Sequence, residues 1–407
     1  MRDFFCIFNF FLHIKHKFCT LSIHFALYSN QYSVNHDAAT PSKKEITMDL
    51  GTGWNLGNTL DAHNADSFIN QPENTETSWG QPMTTKEMID GLARSGIKTI
   101  RLPVSWTPHV NFDYEINEQW MNRVKTIVDW CMENNLYVIL NIHHDNYIND
   151  NIVYAFQGYY PSLKAKDKSV EFVSRIWTQI AEAFADDRYE NVIFETLNEP
   201  RLRGTPDEWN YNPENPKCLE AMEMIKILNQ RAVQAIRSAG GTNKSRLIMV
   251  PSYVASPDAA FNSAFEFPAD IEGNKEKIAL SVHMYTPYNF AMNCGEGGYC
   301  DFTMQTKSDI DYYFNRLKSE FIDRGHPVII GEYGATNKNN KADRMVWFDY
   351  YVRESYSKGI YSILWDNGIA MNEENPAESF GFFNRTTCTW YDEDIRKTIL
   401  HAVACKN

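Results

Sequence analysis

Basic charge is in short supply in this 407-residue sequence: 39 Lys and Arg stand against 52 Asp and Glu, a formal net charge of −13. An acidic surface repels phosphate backbones and anionic lipid, which argues against nucleic acid and membrane partners and favours a neutral ligand. Nucleotide signatures are missing too, since no G-x-G-x-x-G or Walker motif follows any apolar run. No C-x-x-C pair and no histidine spacing points to zinc, and the expectation is no metal and no cofactor. A Pro/Ser/Thr-rich linker and a cysteine-rich module are also lacking, so one domain is expected. With 20 Gly, 16 Pro and 22% charged residues, the chain is neither collagen-like nor disordered. Aromatics, by contrast, abound: 10 Trp, 22 Tyr and 24 Phe are more than a core needs and hint at ring faces lining a groove.

Residues 1–36 stand apart. Phe4–Ile14 is an apolar run behind Arg2, too short to span a bilayer and similar to the apolar region of a secretory signal. Asn9 and His13 interrupt it, and no A-x-A cleavage site follows. The folded body is read as 37–407, which carries −15 once three basic and one acidic residue of the leader are set aside. Six of the eight Cys lie in this body. In an oxidising, extracellular compartment Cys294 and Cys300, which bracket the Gly-rich CGEGGYC loop, are expected to pair. Cys388 with Cys405 is a less constrained pair, and Cys131, within a helical pattern, is expected as a buried thiol. Asn243-Lys-Ser and Asn384-Arg-Thr are glycosylation sequons.

From Asp49 onward, short apolar runs alternate with amphipathic segments. The runs are Gly51–Asn55, Thr99–Pro103, Tyr137–Ile142, Val192–Thr196, Arg246–Val250, Ile278–His283, Val328–Gly331 and Ser362–Trp365. Most are continuously apolar, as strands covered on both faces must be. Helical patterns lie between them, and only the stretch between runs five and six lacks a long one. Thr84 or Thr85, Asn117 and Asp394 are expected N-caps. Eight such units predict a single (β/α)8 TIM barrel with its active site at the C-terminal ends of the strands.

Those ends are where polar residues collect: Asn55, Asn58 and Asp61; Arg101 and Trp106; Asn141, His143, His144 and Asp145; Asn198 and Glu199; His283 and Tyr285; Glu332 and Tyr333; Trp365, Asp366 and Asn367. Glu199 and Glu332 follow strands four and seven, nearly opposite in an eight-stranded ring. Inward side chains there bring two carboxyls to about 5–5.5 Å, the separation of retaining glycoside hydrolysis. A nucleophile must stay ionised, and Arg101 with the Tyr285 hydroxyl suits Glu332 to that task. Glu199 becomes acid and then base by elimination, beside neutral Asn198, which can meet the sugar 2-hydroxyl. Trp365 at the mouth and Trp79 in a polar loop suit stacking on a sugar ring. His143-His144-Asp145 is a poor metal set, because adjacent strand residues point apart.

The motifs GWNLGNTLD, TSWG, IRLPVSW, LNIHHD, FETLNEPR, SVHMYTPY, VIIGEYG and LWDNG resemble, in order, those of glycoside hydrolase family 5. The likeness is greatest to its subfamily 4 of bacterial and anaerobic-fungal endoglucanases and spans roughly residues 45–405. It implies a retaining endo-β-1,4-glucanase acting on cellulose and related β-glucans, with Glu199 as acid/base and Glu332 as nucleophile. The resemblance also implies supporting roles for Arg101, His143, Asn198, His283, Tyr285 and Trp365, and contacts to a second sugar from Asn58 and Asp61. His144 is read as reaching the same sugar. Xyloglucan-, mixed-linkage glucan-, mannan- or xylan-preferring hydrolases share the barrel and remain open, as does a non-catalytic carbohydrate-binding barrel. A monomer is expected, with room for a larger cellulolytic assembly through a module outside this sequence.

Overall fold

The computed structural model describes residues 48–63, 75–153, 158–271 and 273–405. The leader and its two cysteines lie outside the described residues. Eight strands, β1 (Gly53–Asn55), β2 (Thr99–Leu102), β3 (Tyr137–Asn141), β4 (Val192–Glu195), β5 (Ile248–Pro251), β6 (Ile278–His283), β7 (Val328–Tyr333) and β8 (Tyr361–Leu364), form a closed parallel barrel in chain order. The last strand pairs with the first, Gly53 opposite Ile363. Around the barrel run α1 (Lys86–Arg94), α2 (Glu118–Glu133), α3 (Lys166–Ala183), α4 (Pro216–Ser238), the single-turn α5 (Pro257–Ala260) and α6 (Tyr288–Ala291), then α7 (Met304–Glu320), α8 (Lys341–Ser357) and α9 (Glu393–Ala404). No helix among the described residues is long and apolar enough to cross a membrane.

Strand periodicity explains both the core and the site. Outward residues such as Ile100, Leu140, Phe194, Val250, Leu280 and Ile330 are buried in the large cluster that also holds the helices' apolar faces. The inward set divides into two layers. Ile139, Ile193, Met249, Ala279, Ile329 and Ile363 make an apolar plug. Two residues further along the same strands come Asn141, Glu195, Pro251, Ser281 and Gly331, joined by Asn55 and Arg101. The upper layer is therefore mostly polar and faces the mouth. Gly53 has no side chain for a packing reason: a Cβ there would stand 2.3 Å from the Ile363 Cδ1 that fills the plug.

Helix ends largely match the sequence reading. Thr85 accepts from Met88 N, and Asn117 from Gln119 N and Trp120 N. The cap of α9 is Asp392 rather than Asp394, since its carboxylate accepts from Asp394 N and Ile395 N. A hairpin of β9 (Phe383–Asn384) and β10 (Thr389–Trp390) after β8 was not foreseen. Its Arg385 donates to Gly57 O, Thr59 Oγ1 and Asp366 O, tying the loop after β1 to the loop after β8.

The cysteine and sequon expectations need correction. Cys294 and Cys300 are separate exposed thiols. Their loop is held instead by Lys338, whose ammonium donates to the carbonyls of Asn289, Asn293 and Tyr299, and by Asn340, which donates to Cys300 O. Cys388 and Cys405 are also unpaired, one against Arg385 O and the other against the His401 ring. Cys131 is buried, as expected. Asn243 is buried with its amide donating to Ala181 O and accepting from Arg246 Nε, so it offers no nitrogen to a glycan.

Candidate active site

Arg101 projects from β2 into the centre of the polar layer and is fully buried. Nε donates to Glu195 Oε2 (2.9 Å); Nη1 donates to Asn55 Oδ1 (2.9 Å) and Glu332 Oε1 (2.8 Å); Nη2 donates to Asn198 Oδ1 (2.7 Å) and lies 2.7 Å from Glu195 Oε2. All five N–H groups are thus engaged in the planar fork that guanidinium offers. Burial alone would weaken its hold on the proton, but Glu195 and Glu332 outweigh it and keep Arg101 charged.

Glu332 receives one donor on each oxygen, Arg101 on Oε1 and the Tyr285 hydroxyl on Oε2 (2.9 Å). Burial and the two nearby carboxylates push the Tyr285 phenol far up, so it remains a donor. A register shift in β7 between Ile330 and Tyr333 aims Glu332 at the mouth. Gly331 is needed there: a Cβ would come 3.1 Å from Glu195 Oε1, 3.2 Å from His283 Nε2 and 3.4 Å from Arg101 Nε.

Glu199 lies beyond the end of β4, half-buried, and faces Glu332 with a carboxyl oxygen of each within 4.8 Å. His283 Nδ1 is 2.8 Å from Glu199 Oε1 and 3.5 Å from Glu332 Oε2. Arg201 Nη1 is 3.5 Å from Glu199 Oε2. Burial raises the Glu199 carboxyl, but the His283 hydrogen bond and charge, with Arg201, hold it down at about 2. His283 is shifted the other way: burial lowers it, and Glu332 with Glu199 more than compensates. Each group thus favours the charged form of the other. The expectation that Glu199 has only a neutral neighbour is corrected by His283 and Arg201.

The mouth also carries a wall of rings. Trp365 stacks parallel to His143 with centroids 6.1 Å apart, His143 meets His144 at 4.4 Å, and His144 meets Trp79 at 5.4 Å. The two histidines come together because β3 stops at Asn141 and both lie past it, free of strand alternation. His144 Nε2 also stands 3.8 Å from Asp61 Oδ2. Asp61 is buried and spends its carboxylate on the turn, accepting from Asn58 N and Thr59 N. Asn58, half-buried at φ +56°, lies in that turn.

Among the described residues, two sets of metal-type side chains have donor atoms within 4.8 Å, Asp61–His143–His144 and Glu199–His283–Glu332. In the first, Asn141 fixes the tautomer. Its Oδ1 accepts from Val104 N, so its Nδ2 donates to His143 Nδ1 (3.0 Å), which leaves Nε2 of the neutral ring carrying a proton. A protonated nitrogen ligates nothing and can donate to a hydroxyl. In the second, Glu332 is already occupied by Arg101 and Tyr285.

Sequence reasoning missed Glu195, Arg201, Ser281 and His63. Glu195 was assigned to the strand core, although strand alternation places it four residues before Glu199 on the inward face. His63 closes the ring wall, 5.4 Å from Trp79 and accepting its indole N–H at the backbone carbonyl. Asp145 and Asp366 hold loops: one accepts from Trp106 N and Thr107 N, the other from Trp54 Nε1, Phe382 N and Phe383 N.

A closed parallel barrel with opposed carboxylates and a ring wall at the C-terminal mouth defines a carbohydrate-directed barrel hydrolase. The model of cellulase (glycosyl hydrolase family 5) matches residues 60–371, and the chain belongs to that family. It is 40% identical to Endoglucanase A of Clostridium longisporum over 89% of its own length and 66% of that protein. With Endoglucanase B of Neocallimastix patriciarum it shares 42% identity over 85% of the chain and 68% of the relative. The chain thus spans about two thirds of the length of these relatives. Among solved structures, a family 5 lichenase from Caldicellulosiruptor sp. F32 in complex with cellotetraose superposes with a TM-score of 0.81 at 38% identity, covering 87% of this chain and 93% of that one.

Proposed function

We propose that this chain is an endo-acting β-1,4-glucanase that cleaves by double displacement with retention. The observation that carries the reading is the pairing of Glu199 and Glu332, carboxyl oxygens within 4.8 Å, with Arg101 and Tyr285 both donating to Glu332. So short a separation suits direct attack on the anomeric carbon and leaves little room for an intervening water. Glu332 attacks, the glycosidic oxygen takes a proton from Glu199, and Glu199 then deprotonates the water that releases the sugar.

The proton comes from the Glu199–His283 pair. A sugar seated over the pair removes water and favours carboxylic acid plus neutral imidazole over an ion pair, because desolvation penalises charge. Asn198 offers Nδ2 to the 2-hydroxyl, since its Oδ1 is held by Arg101. His143 offers Nε2–H, and the rings of Trp365, His144 and Trp79 suit the C–H faces of a β-1,4-linked run. Relatives named endoglucanases support an endo mode. The lichenase complex and the broad-specificity endoglucanase of Clostridium longisporum support a tolerance for mixed-linkage glucan as well as cellulose. Rates on soluble cellulose, mixed-linkage glucan and xyloglucan rank the substrates. The signal-like leader supports an extracellular location.

Azide tests the two roles. Glu332→Ala with azide is expected to return an α-glycosyl azide by single inversion, and Glu199→Ala a β-glycosyl azide by interception of the covalent intermediate. The reverse stereochemistry would exchange the assignments. Absence of any product from the unmodified enzyme on all three glucans, with binding intact, would reject catalysis.

A further inference from the structure

We infer that Glu195, buried beneath the two reacting carboxylates, is a positioning residue: it fixes Arg101 and, through Asn141, His143, and its charge keeps the proton on the His283–Glu199 pair. The inference rests on the catalytic reading of Glu199 and Glu332. The residue is the only acid in the inward polar layer among the described residues, and it is completely inaccessible to solvent. Its partners are all donors: Arg101 Nε at 2.9 Å and Nη2 at 2.7 Å, Asn141 Nδ2 at 2.9 Å, and Ser281 Oγ at 2.6 Å. Acceptor-only bonding of this kind is that of a carboxylate anion.

Geometry gives it two consequences. The guanidinium is gripped through Nε and Nη2, which leaves Nη1 pointing at Glu332; a rotation about the side chain would break both grips. Asn141, oriented by Glu195 and by Val104 N, presents its Nδ2 to His143 and so sets the tautomer of a ring in the sugar-facing wall. One buried carboxylate thus holds a donor on the nucleophile side and a donor on the sugar side.

The electrostatic consequence concerns His283. Facing this imidazole are Arg101 from β2 (Nη2 at 3.4 Å), His143 after β3, Glu195 from β4 (Oε1 at 4.0 Å), Glu199 and Arg201 after β4, Tyr285 after β6, and Glu332 from β7. Without Glu195, the charge of Arg101 would face His283 with less to cancel it, and the imidazolium would give up its proton more easily. With Glu195 in place, three carboxylates stand against two guanidiniums around the imidazole, an excess of one negative charge that the retained proton balances. Once that proton passes to the leaving oxygen, the excess faces a sugar that develops positive charge.

Three variants test this in the 407-residue chain: Glu195→Gln, which keeps the shape and removes the charge; Glu195→Asp, which keeps the charge and shortens the reach; and Ser281→Ala, which removes the donor from Oε1. The readout is the titration midpoint of His283, followed by NMR with ring-labelled histidine, beside the alkaline limb of kcat/KM. Glu195→Gln is expected to lower the midpoint and the limb by about one pH unit, the usual effect of one nearby charge. Glu195→Asp should leave the midpoint near that of the unmodified enzyme while lowering kcat, because its grip on Arg101 is looser. A merely structural role lowers rates at every pH and moves no midpoint. An unchanged His283 midpoint in Glu195→Gln overturns the inference. Should that variant fail to fold, Ser281→Ala decides: the bared Oε1 is expected to raise the midpoint, and an unchanged value overturns the inference. Failure of the catalytic assignment itself is read from the azide products, which do not depend on this titration.

Discussion

Strands β2, β4, β6 and β7, with the turn just past β4, deliver Arg101, Glu195, Glu199, His283 and Glu332 into a network where most polar atoms have a partner within 3 Å. The loops after β1, β3 and β8 deliver Trp79, His144, His143 and Trp365, whose contacts with one another are ring on ring at 4.4–6.1 Å. Most of the charged set stands on strands, and Glu199, beyond β4, is held by His283. The ring set stands past the strand ends and offers mainly surface. Directional hydrogen bonds in a dry interior fail abruptly when one atom moves. Stacking surfaces lose affinity by degrees. Chemistry and grip thereby rest on different kinds of contact, and substitutions in the two sets should fail differently.

The largest expected effect on this contrast, beyond loss of either glutamate, is Arg101→Lys. Lysine keeps the charge but replaces five fixed donors with one ammonium, which cannot serve Glu195, Asn55, Asn198 and Glu332 together. A fall in kcat of about 10²-fold is expected, the usual cost of one misplaced donor at a reacting centre. Steady-state kinetics on an activated aryl cellobioside, normalised to sites counted with a fluorinated inactivator, measure it. A KM effect without a kcat effect would mean that the charged side also works by grip.

The barrel was legible in the sequence because each strand is a short apolar run followed by polar residues, and the mouth residues sit where those runs end. What was not legible follows from the third dimension. Glu195 sits inside an apolar run, VIFE, and reads as part of a strand; only its inward face and the arrival of Arg101 from β2 reveal it. His143 and His144 carry two readings in the sequence, adjacent strand residues that point apart and partners on one sugar; β3 ends at Asn141, both lie past it, and their rings meet at 4.4 Å. Arg201, two residues past Glu199, gives no signal because a cation beside a general acid is unexpected; with His283 it favours the ionised form of Glu199. Asn243 looked like a glycan acceptor until its amide was seen spent on Ala181 and Arg246.

On the ring side, Trp79→Ala should raise KM on soluble glucan about 5–10-fold, the ~1–1.5 kcal/mol that one aromatic contact is worth. The kcat on the same substrate should change less than twofold or so, because no atom of Trp79 touches the carboxylates or Arg101. Kinetics on a polymer and on a short aryl cellobioside separate the two parameters. A drop in kcat as large as that of Arg101→Lys would erase the division between chemistry and grip.

The last effect is on the pH dependence of stability, to which His144 of the ring side contributes. Burial, with His63 and Arg201 adding to it, pushes His144 down to about 3, whereas the unfolded chain titrates near 6.5. Between those values the unfolded state binds a proton that the folded state refuses, so stability falls as pH falls from 6.5 towards 3. Above 6.5 neither state is protonated and the contribution is flat. His144→Gln removes this share and should make the acid decline of Tm shallower, by about 2–4 °C for each kcal/mol that the ring contributes. The decline should not vanish, because His63, His109 and His143 are also held below the ordinary imidazole range, chiefly by burial. The opposite sign applies across the mouth: His283 is raised, so its contribution is present below 6.5 and fades as pH rises through its folded value. Scanning calorimetry from pH 4 to 8 distinguishes the two. An unaltered acid slope in His144→Gln would show that this ring is already hydrated in the folded chain, and the wall would then be open to solvent rather than dry.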